Sequence, residues 1–490
     1  LNRNPILGRM PRRGAMPPLQ QPAAVAAPRA RRENKAHVMT AAILYWLVMA
    51  RVIIPGFFDY DPDVDVLAMY ERYSVIMKIT WLSFLLIPCI LLASRTKQLM
   101  NVLRATNRPF LAVMLLSTLS IAWSIDTAAT LARLEHVFAI IFICLAVVCV
   151  GWNMSRVQQV TRPILTVLLL GSLIFGLVAP DLAITPPVPP DTHYYWHGLT
   201  TQKNQLGSLA SLGALFWLHG WASREVRLAP AFGGWAIAMA CLVLSRSATS
   251  LMATILASVL LLLITRSTPA MRRYTPYVVG IFATVTLAYS MAVLKVIPGL
   301  DVLLQPIMAL SGKDATFSGR TQIWEIMRDH IHLAPILGSG YGAYWAGPVP
   351  TSPSYVFLRL MYFYPSEAHN GYLDTINDLG YVGLALLLAY IVFYIVQSLR
   401  VWRISRAAGS LFLALIFQQL LANLSETHWL YVGNDFIVLT LCTFAIARAS
   451  LEPAAAAQAA APSKAAAVPT AGRRTPGGVR RPPKTRGRLA

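Results

Sequence analysis

Residues 367–390 read EAHNGYLDTINDLGYVGLALLLAY: a polar head carrying His369 and Asn370, followed within a few residues by an apolar run that continues to residue 399. A run of about 20 apolar residues is the length of a helix that crosses a bilayer. Similar runs recur from residue 38 to residue 448, near 38–57, 75–94, 110–124, 131–151, 163–179, 205–222, 231–245, 249–265, 276–296, 409–424 and 429–447, which with 379–399 makes twelve. Across all 490 residues, 56% are hydrophobic and only 13% charged, at a mean hydropathy of +0.54. Soluble chains carry about a quarter charged residues, so a water-soluble globular enzyme is excluded. The expectation is an all-α, polytopic membrane protein of about twelve transmembrane helices.

Charge gives the sidedness. Every second connection is basic: Arg95/Lys97/Arg104/Arg108, Arg156/Arg162, Arg224/Arg227, Arg266/Arg272/Arg273 and Arg400/Arg403/Arg406. By the positive-inside bias these face the cytoplasm, as do both basic termini. The alternate connections are acidic or nearly neutral and are expected outside, including a long one over residues 298–378 between helices nine and ten. Residues 1–37 and 449–490 are low-complexity Pro/Ala/Arg sequence, expected as disordered cytoplasmic tails around a membrane domain of 38–448. Fourteen of the net +21 charges sit in these tails. Attraction to anionic inner-leaflet lipids accounts for that charge more simply than nucleic acid, which is not expected as a partner. The first apolar run extends to about Phe57 without a small-residue cleavage site, so it is expected to be retained. The five cysteines all lie in apolar segments and form neither a disulfide framework nor a zinc spacing.

Arg51, Lys78, Arg133, Glu135, His136, Lys203, Arg246 and Lys295 lie within or at the ends of apolar helices, all at the outer end on this topology. Ionisable groups at membrane depth mark substrate paths or partner pairs, and a cationic outer pocket suits an anionic ligand. Snorkelling of individual long side chains is the alternative. In the outer segment, FSGRTQIWEIMRDHI (317–331) places Ile323, Trp324, Met327 and Ile331 on one helix face, with Ser318 as a cap and Arg320 in the first turn. A cation there opposes the helix dipole, so helix stability gives no reason for it. PILGSGYGAYW (335–345) reads as a flexible Gly/aromatic loop near the membrane surface, with Tyr341, Tyr344 and Trp345 suited to the interface or to stacking on sugars. Lys203 and Asn204 stand at a helix start, where a lysine can meet phosphate. His369, facing outward beside the cationic pocket, suits a general base; a structural histidine is the competing reading.

In this order the motifs AWSIDTAATLAR (122–133), QKNQLG (202–207), LSRSATS (244–250), SGRTQIW (318–324) with PILGSGYG (335–342), and AHNGYLDTINDLGYVG (368–383) resemble the O-antigen ligase and O-antigen or exopolysaccharide polymerase family. The resemblance implies a GT-C-like membrane fold whose 298–378 loop is catalytic. It also implies a metal-independent, inverting enzyme of the bacterial inner membrane, without a cofactor. Its donor would be an undecaprenyl-diphosphate-linked oligosaccharide and its acceptor a sugar hydroxyl, on a lipid-linked glycan or on lipid A core. A chain-length regulator and membrane lipids would be further partners. It assigns catalysis to His369 and Arg320, donor-diphosphate binding to Arg320, Lys203, Arg246 and Asn204, and supporting roles to Asn370, Arg133 and Asp126. The QKNQLG segment looks closer to the exopolysaccharide polymerases. One feature pulls elsewhere: DYDPDVDVL (59–67) holds Asp59, Asp61, Asp63 and Asp65, which is either a solvated acidic loop or a divalent-cation site. A lipid-linked oligosaccharide flippase is the rival class, though transporters place key charges near mid-membrane in broken repeat helices.

Overall fold

The computed structural model describes residues 34–54, 75–187, 193–293 and 320–452. Residues 1–33 and 453–490, which make up most of the expected tails, and Asp59/Asp61/Asp63/Asp65, Lys295 and Ser318 lie outside the described residues. Helices stand at all twelve anticipated places: α1 Lys35–Ile53, α2 Val75–Ala93, then, after an added α3 (Thr96–Ala105), α4 Arg108–Leu119, α5 Thr127–Cys149, α6 Arg156–Val178, α7 Lys203–Ala222, α8 Leu228–Leu244, α9 Ala248–Thr265 and α10 Thr275–Val293. The chain continues through α11 Arg320–Ile331 to α12 Gly371–Ile404, α13 Arg406–Ala422 and α14 Asn434–Ser450. Six of these (α1, α2, α5, α6, α9 and α12) are long and apolar enough to cross a membrane, and α4, α8, α10 and α13 are shorter apolar helices. The protein is a multi-pass, all-α membrane protein.

Two elements differ from expectation. The added helix α3 is amphipathic: Val102 is buried while Lys97 and Arg104 are exposed. Its charge pattern reads as a basic loop when length alone is considered. The tenth apolar helix begins at Gly371 rather than at 379, because Asn370 caps it, its side chain accepting from the Tyr372 and Leu373 N–H groups at 3.1 Å each. A break at Gly380 (φ 66°) then separates this short polar stretch from the apolar run.

The helix ends gather at two faces. At one, Arg156 donates to the Val38 carbonyl (3.2 Å), Arg266 to that of Trp221 (3.3 Å), and Trp152 to Glu452 (2.6 Å). At the other, Gln205 donates to the Val52 carbonyl (3.2 Å) and the Gly371 N–H to that of Asn423 (3.0 Å). Ser247 and Ser250 pack on Gly207, where a Cβ would lie 2.7 Å from Ser247 Cβ. Successive crossing helices therefore run in alternate directions. The core lies along α5, α7, α13 and α14, whose centres are almost wholly buried. The buried faces of α13 and α14 also carry polar groups, Gln418, Gln419 and Asp435.

The 335–345 loop is packed inward over its second half: Tyr341, Ala343, Tyr344 and Trp345 are all buried, while Ile336 and Leu337 are exposed. Its glycines allow close approach of backbones rather than mobility. The Ser339 N–H donates to the Asn377 carbonyl (2.9 Å) and the Gly340 N–H to that of Asp378 (3.0 Å), while Val382 N–H returns to Ile336 (3.2 Å). A Cβ on Gly338 would stand 2.4 Å from the Asp378 carbonyl carbon, and one on Gly380 2.1 Å from the Ile336 oxygen. The AWSIDTAATLAR stretch and the turn just before it hold the other side: Ile125 N–H donates to the Ser339 carbonyl (2.9 Å), and Tyr341 N–H to Ser120 Oγ (2.9 Å).

Candidate active site

Four separate segments deliver polar groups to one point on the face opposite the basic helix ends. From α11, whose Ile323, Trp324, Met327 and Ile331 are buried along one face as anticipated, Arg320 extends Nη2 to Glu426 Oε1 at 2.6 Å. Asn204, in the first turn of α7, donates to the same oxygen at 2.6 Å. His369 Nδ1 lies 3.1 Å from Glu426 Oε2 and 3.1 Å from Glu367 Oε1. The Glu367 and Glu426 side chains are only 6% and 8% exposed, so these contacts form in a poorly hydrated place where charge interactions are strong.

Local sequence fixes this geometry. His369 adopts φ 51°, a left-handed conformation that a non-glycine residue enters at a cost, and such strain persists only where neighbours enforce it. The neighbours are identifiable. The Ala368 N–H donates to Asp374 (3.0 Å) and its carbonyl accepts from Trp324 Nε1 (3.0 Å), while Asn370 caps α12 immediately after. Asp374 also accepts from Trp345 Nε1 (2.8 Å) and Thr427 Oγ1. Asn423 Oδ1 holds the following loop by accepting from His428 N–H (2.9 Å) and Trp429 N–H (2.8 Å). Gly371 is required beside it, because a Cβ there would lie 2.0 Å from Asn423 Oδ1.

The electrostatics are uneven. Burial works against charge on His369, yet the hydrogen bonds to Glu367 and Glu426 override it and hold the imidazole at about 10. Burial also opposes charge on Glu426, but His369 and Arg320 pull it down to about 2. Glu367 is pushed up to about 7, by burial first and against the pull of His369, with Glu426 adding repulsion. The two carboxylates part because the Arg320 charge favours the ionised form of Glu426 and the hydrogen bond between the two carboxyl groups lowers Glu426 while raising Glu367. The three groups titrate as one unit rather than singly.

The other anticipated residues are distributed around this centre. Lys203 stacks its ammonium over Tyr195 at 4.3 Å, in a two-residue antiparallel pairing of Ile184–Thr185 with Tyr195–Trp196, and not on the cluster. Arg246 is exposed (φ 52°) on the loop that packs against Gly207 and makes none of the cluster's contacts. Arg133 lies 5.2 Å over the Tyr431 ring, in a tight hollow of about 20 Å³ beside Asp374 and Asp378. Asp126 caps α5, accepting from Ala129 N–H at 2.9 Å. The sequence reading put cations at the centre and missed Glu367 and Glu426, whose only signal was membership of two outer connections, the long one over 298–378 and the short one between the last two helices. Glu367, His369 and Glu426 present potential metal-ligand atoms within 4.8 Å of one another. In this arrangement the Arg320 guanidinium already provides Glu426 with a positive partner.

Beside the cluster opens a cleft of about 330 Å³, walled by Glu367, Glu426 and Asn204 and reaching Arg51 at the end of α1.

Residues 232–388 match the family described as O-antigen ligase, a window that holds Arg320, Glu367 and His369 but neither Asn204 nor Glu426. The chain is also similar to the exopolysaccharide production protein ExoQ of Rhizobium meliloti (strain 1021), 29% identical over 259 residues. That match covers 50% of this chain and 56% of the relative, so it spans little more than half the relative's length. Together the two likenesses support the O-antigen ligase/ExoQ-like family that the sequence motifs resemble.

Proposed function

We propose that the protein is an inverting membrane glycosyltransferase that polymerises undecaprenyl-diphosphate-linked oligosaccharides at the outer face of the inner membrane, with twelve crossings and both termini cytoplasmic. The observation that carries this reading is the meeting of Arg320 and His369, from segments 49 residues apart, on the buried carboxylate of Glu426. A flippase needs charges along a path through the membrane; here they converge on one point at one face. The likeness to an exopolysaccharide production protein favours polymerisation over transfer to lipid A core.

In the reaction, the acceptor hydroxyl oxygen forms a bond to the anomeric carbon of the donor glycan while the bond from that carbon to the diphosphate oxygen breaks. The electron pair leaves with the diphosphate, and the hydroxyl proton passes to His369. Arg320 neutralises the growing phosphate charge, its guanidinium fork suiting paired oxygens, and Lys203 and Arg246 flank the donor further out. His369 Nδ1 faces the two carboxylates, which leaves Nε2 to meet the acceptor and lets Glu367 and Glu426 stabilise the imidazolium that forms.

The test is to incubate purified protein with an undecaprenyl-diphosphate oligosaccharide alone and follow lipid-linked products. A ladder that survives EDTA and vanishes in His369→Ala supports a metal-independent polymerase. Product that appears only when lipid A core is added makes the protein a ligase, and no product in either case defeats the transferase reading.

A further inference from the structure

We propose that the turn following α11, with Leu333, Ile336 and Leu337 at its surface, is a wedge inserted into the lipid of the bilayer leaflet on the cluster's side. The insertion follows from the fold and does not depend on the transferase reading.

The exposed side chains change character abruptly at this turn. Along α11 they are polar: Gln322, Glu325 and Asp329. Past the buried Ile331 the chain turns and holds out Leu333 (79% exposed), Ile336 (67%) and Leu337 (41%). A contiguous apolar patch of this kind marks a surface that something covers, and its neighbours name the partner. Tyr381 and Val382 open the exposed face of the apolar run of α12, a helix long enough to cross the membrane, and their N–H groups donate to the Pro335 (2.9 Å) and Ile336 (3.2 Å) carbonyls. On the other side Trp123, which follows the exposed Leu119 at the end of the apolar helix α4, donates Nε1 to the Leu337 carbonyl (3.2 Å). The patch is thus continuous with the lipid-facing sides of α12 and α4. Tyr381 and Trp123 stand at its edge, where aromatic side chains gather at a membrane–water interface.

The backbone is finished for lipid as well. The Gly338 N–H donates to the Ala334 carbonyl (2.9 Å), so that every carbonyl from 334 to 337 has a partner inside the protein. A loop in water can leave such groups to solvent, whereas irregular backbone at membrane depth has to satisfy them internally. Two residues further on, the Ser339 and Gly340 N–H groups bond the Asn377 and Asp378 carbonyls, in the polar stretch of α12 that carries Asp374, itself bonded to the Ala368 N–H beside His369. The catalytic segment is therefore docked on the bilayer surface through this turn, and a substrate carried on lipid in the same leaflet shares that surface with it.

The experiment attaches the environment-sensitive dye NBD to Leu333→Cys and to Ile336→Cys in the full-length protein, reconstituted in phosphatidylcholine nanodiscs. Glu325→Cys on α11 is the water-facing reference and Leu115→Cys on α4 the lipid-facing one; all four positions are exposed, so the label displaces no packed side chain. The unsubstituted protein gives the background from Cys89. At 333 and 336 the dye should emit to the blue of the label at 325, be quenched by doxyl-labelled phosphatidylcholine as strongly as the label at 115, and be at least threefold less sensitive to aqueous iodide than the label at 325. Iodide quenching equal to that at 325 would put the turn in water and overturn the proposal. Blue-shifted emission that neither doxyl lipid nor iodide quenches would show the wedge covered by protein, such as a second copy of the chain, and would overturn it too.

Discussion

At the scale of single residues, the centre is a balance of charges in which each group sets its neighbour's state. Removal of Glu426 shows this most directly. Glu426→Gln leaves the partly buried Arg320 guanidinium without its anionic partner and takes one of two carboxylates from His369. Breaking a buried pair by removing one member costs about 3–5 kcal/mol, so the variant should melt well below the native protein in detergent. Proton uptake follows the same logic. His369 is raised to about 10, so at neutral pH it is mostly imidazolium and the base form is the minority; transfer should climb as pH rises above 7. Glu367→Gln removes a carboxylate that holds the imidazole up, so the rising limb of the pH–rate profile should move to lower pH, and a limb that stays in place would remove His369 as the base. His369→Ala itself should slow transfer by about 10²–10⁴, the usual contribution of a general base, without loss of folded protein. Arg320 stood out because a cation in the first turn of a helix has no helix-stability reason to be there, and His369 through its outward position beside cationic residues and the family resemblance, against the competing reading of a structural histidine. Glu426 did not: it is separated from His369 by 57 positions and from Arg320 by 106, and only folding brings them together.

At the scale of elements, the candidate site depends on two loops being pressed against the start of α12. Gly338 and Gly380 face one another's backbones with φ 69° and 66°, conformations that cost an L-residue about 1–2 kcal/mol before any clash is counted. Gly380→Ala adds a methyl 2.1 Å from the Ile336 oxygen, so it should lower the melting temperature and weaken transfer together, because the displaced loop carries Trp345, the partner of Asp374. Gly280, whose Cβ would meet nothing within 4 Å, is the control: Gly280→Ala should leave both unchanged. The sequence showed the glycines and their spacing, but alternate Gly and aromatic residues describe an exposed flexible loop and a tightly docked one equally well. What distinguishes them is the second backbone, and that arrives from the 377–382 segment. The helices themselves were readable because apolar length is a local property. The early start of α12 was hidden because its first turns are polar and its capping residue, Asn370, had been considered for chemistry instead.

At the scale of the whole molecule, the protein is an asymmetric bundle, with exposed basic residues such as Arg400 and Arg403 at one face and the Arg320–Glu426–His369 cluster at the other. This polarity was legible from alternating loop charge alone, since the same bias that orients a membrane protein also sorts its connections. The alternation of helix direction agrees with it, yet direction alone does not say which face is outside, and the proposed chemistry depends on the answer. A lipid-diphosphate glycan presented outside can be used only if Arg320 and His369 face outward. Glu325 is exposed on α11, and Arg403 is exposed at the far end of α12. In intact spheroplasts, Glu325→Cys should react with a membrane-impermeant maleimide, and Arg403→Cys should react only after the membrane is permeabilised. Both positions carry a solvent-facing side chain, so neither change should perturb the fold. Four of the five native cysteines are buried, and Cys89, within α2, is partly so, which keeps the background low and measurable in the native protein. The reverse pattern would place the cluster in the cytoplasm, where the basic face would then lie outside against the charge bias, and the outer-face transferase reading would fail as a whole.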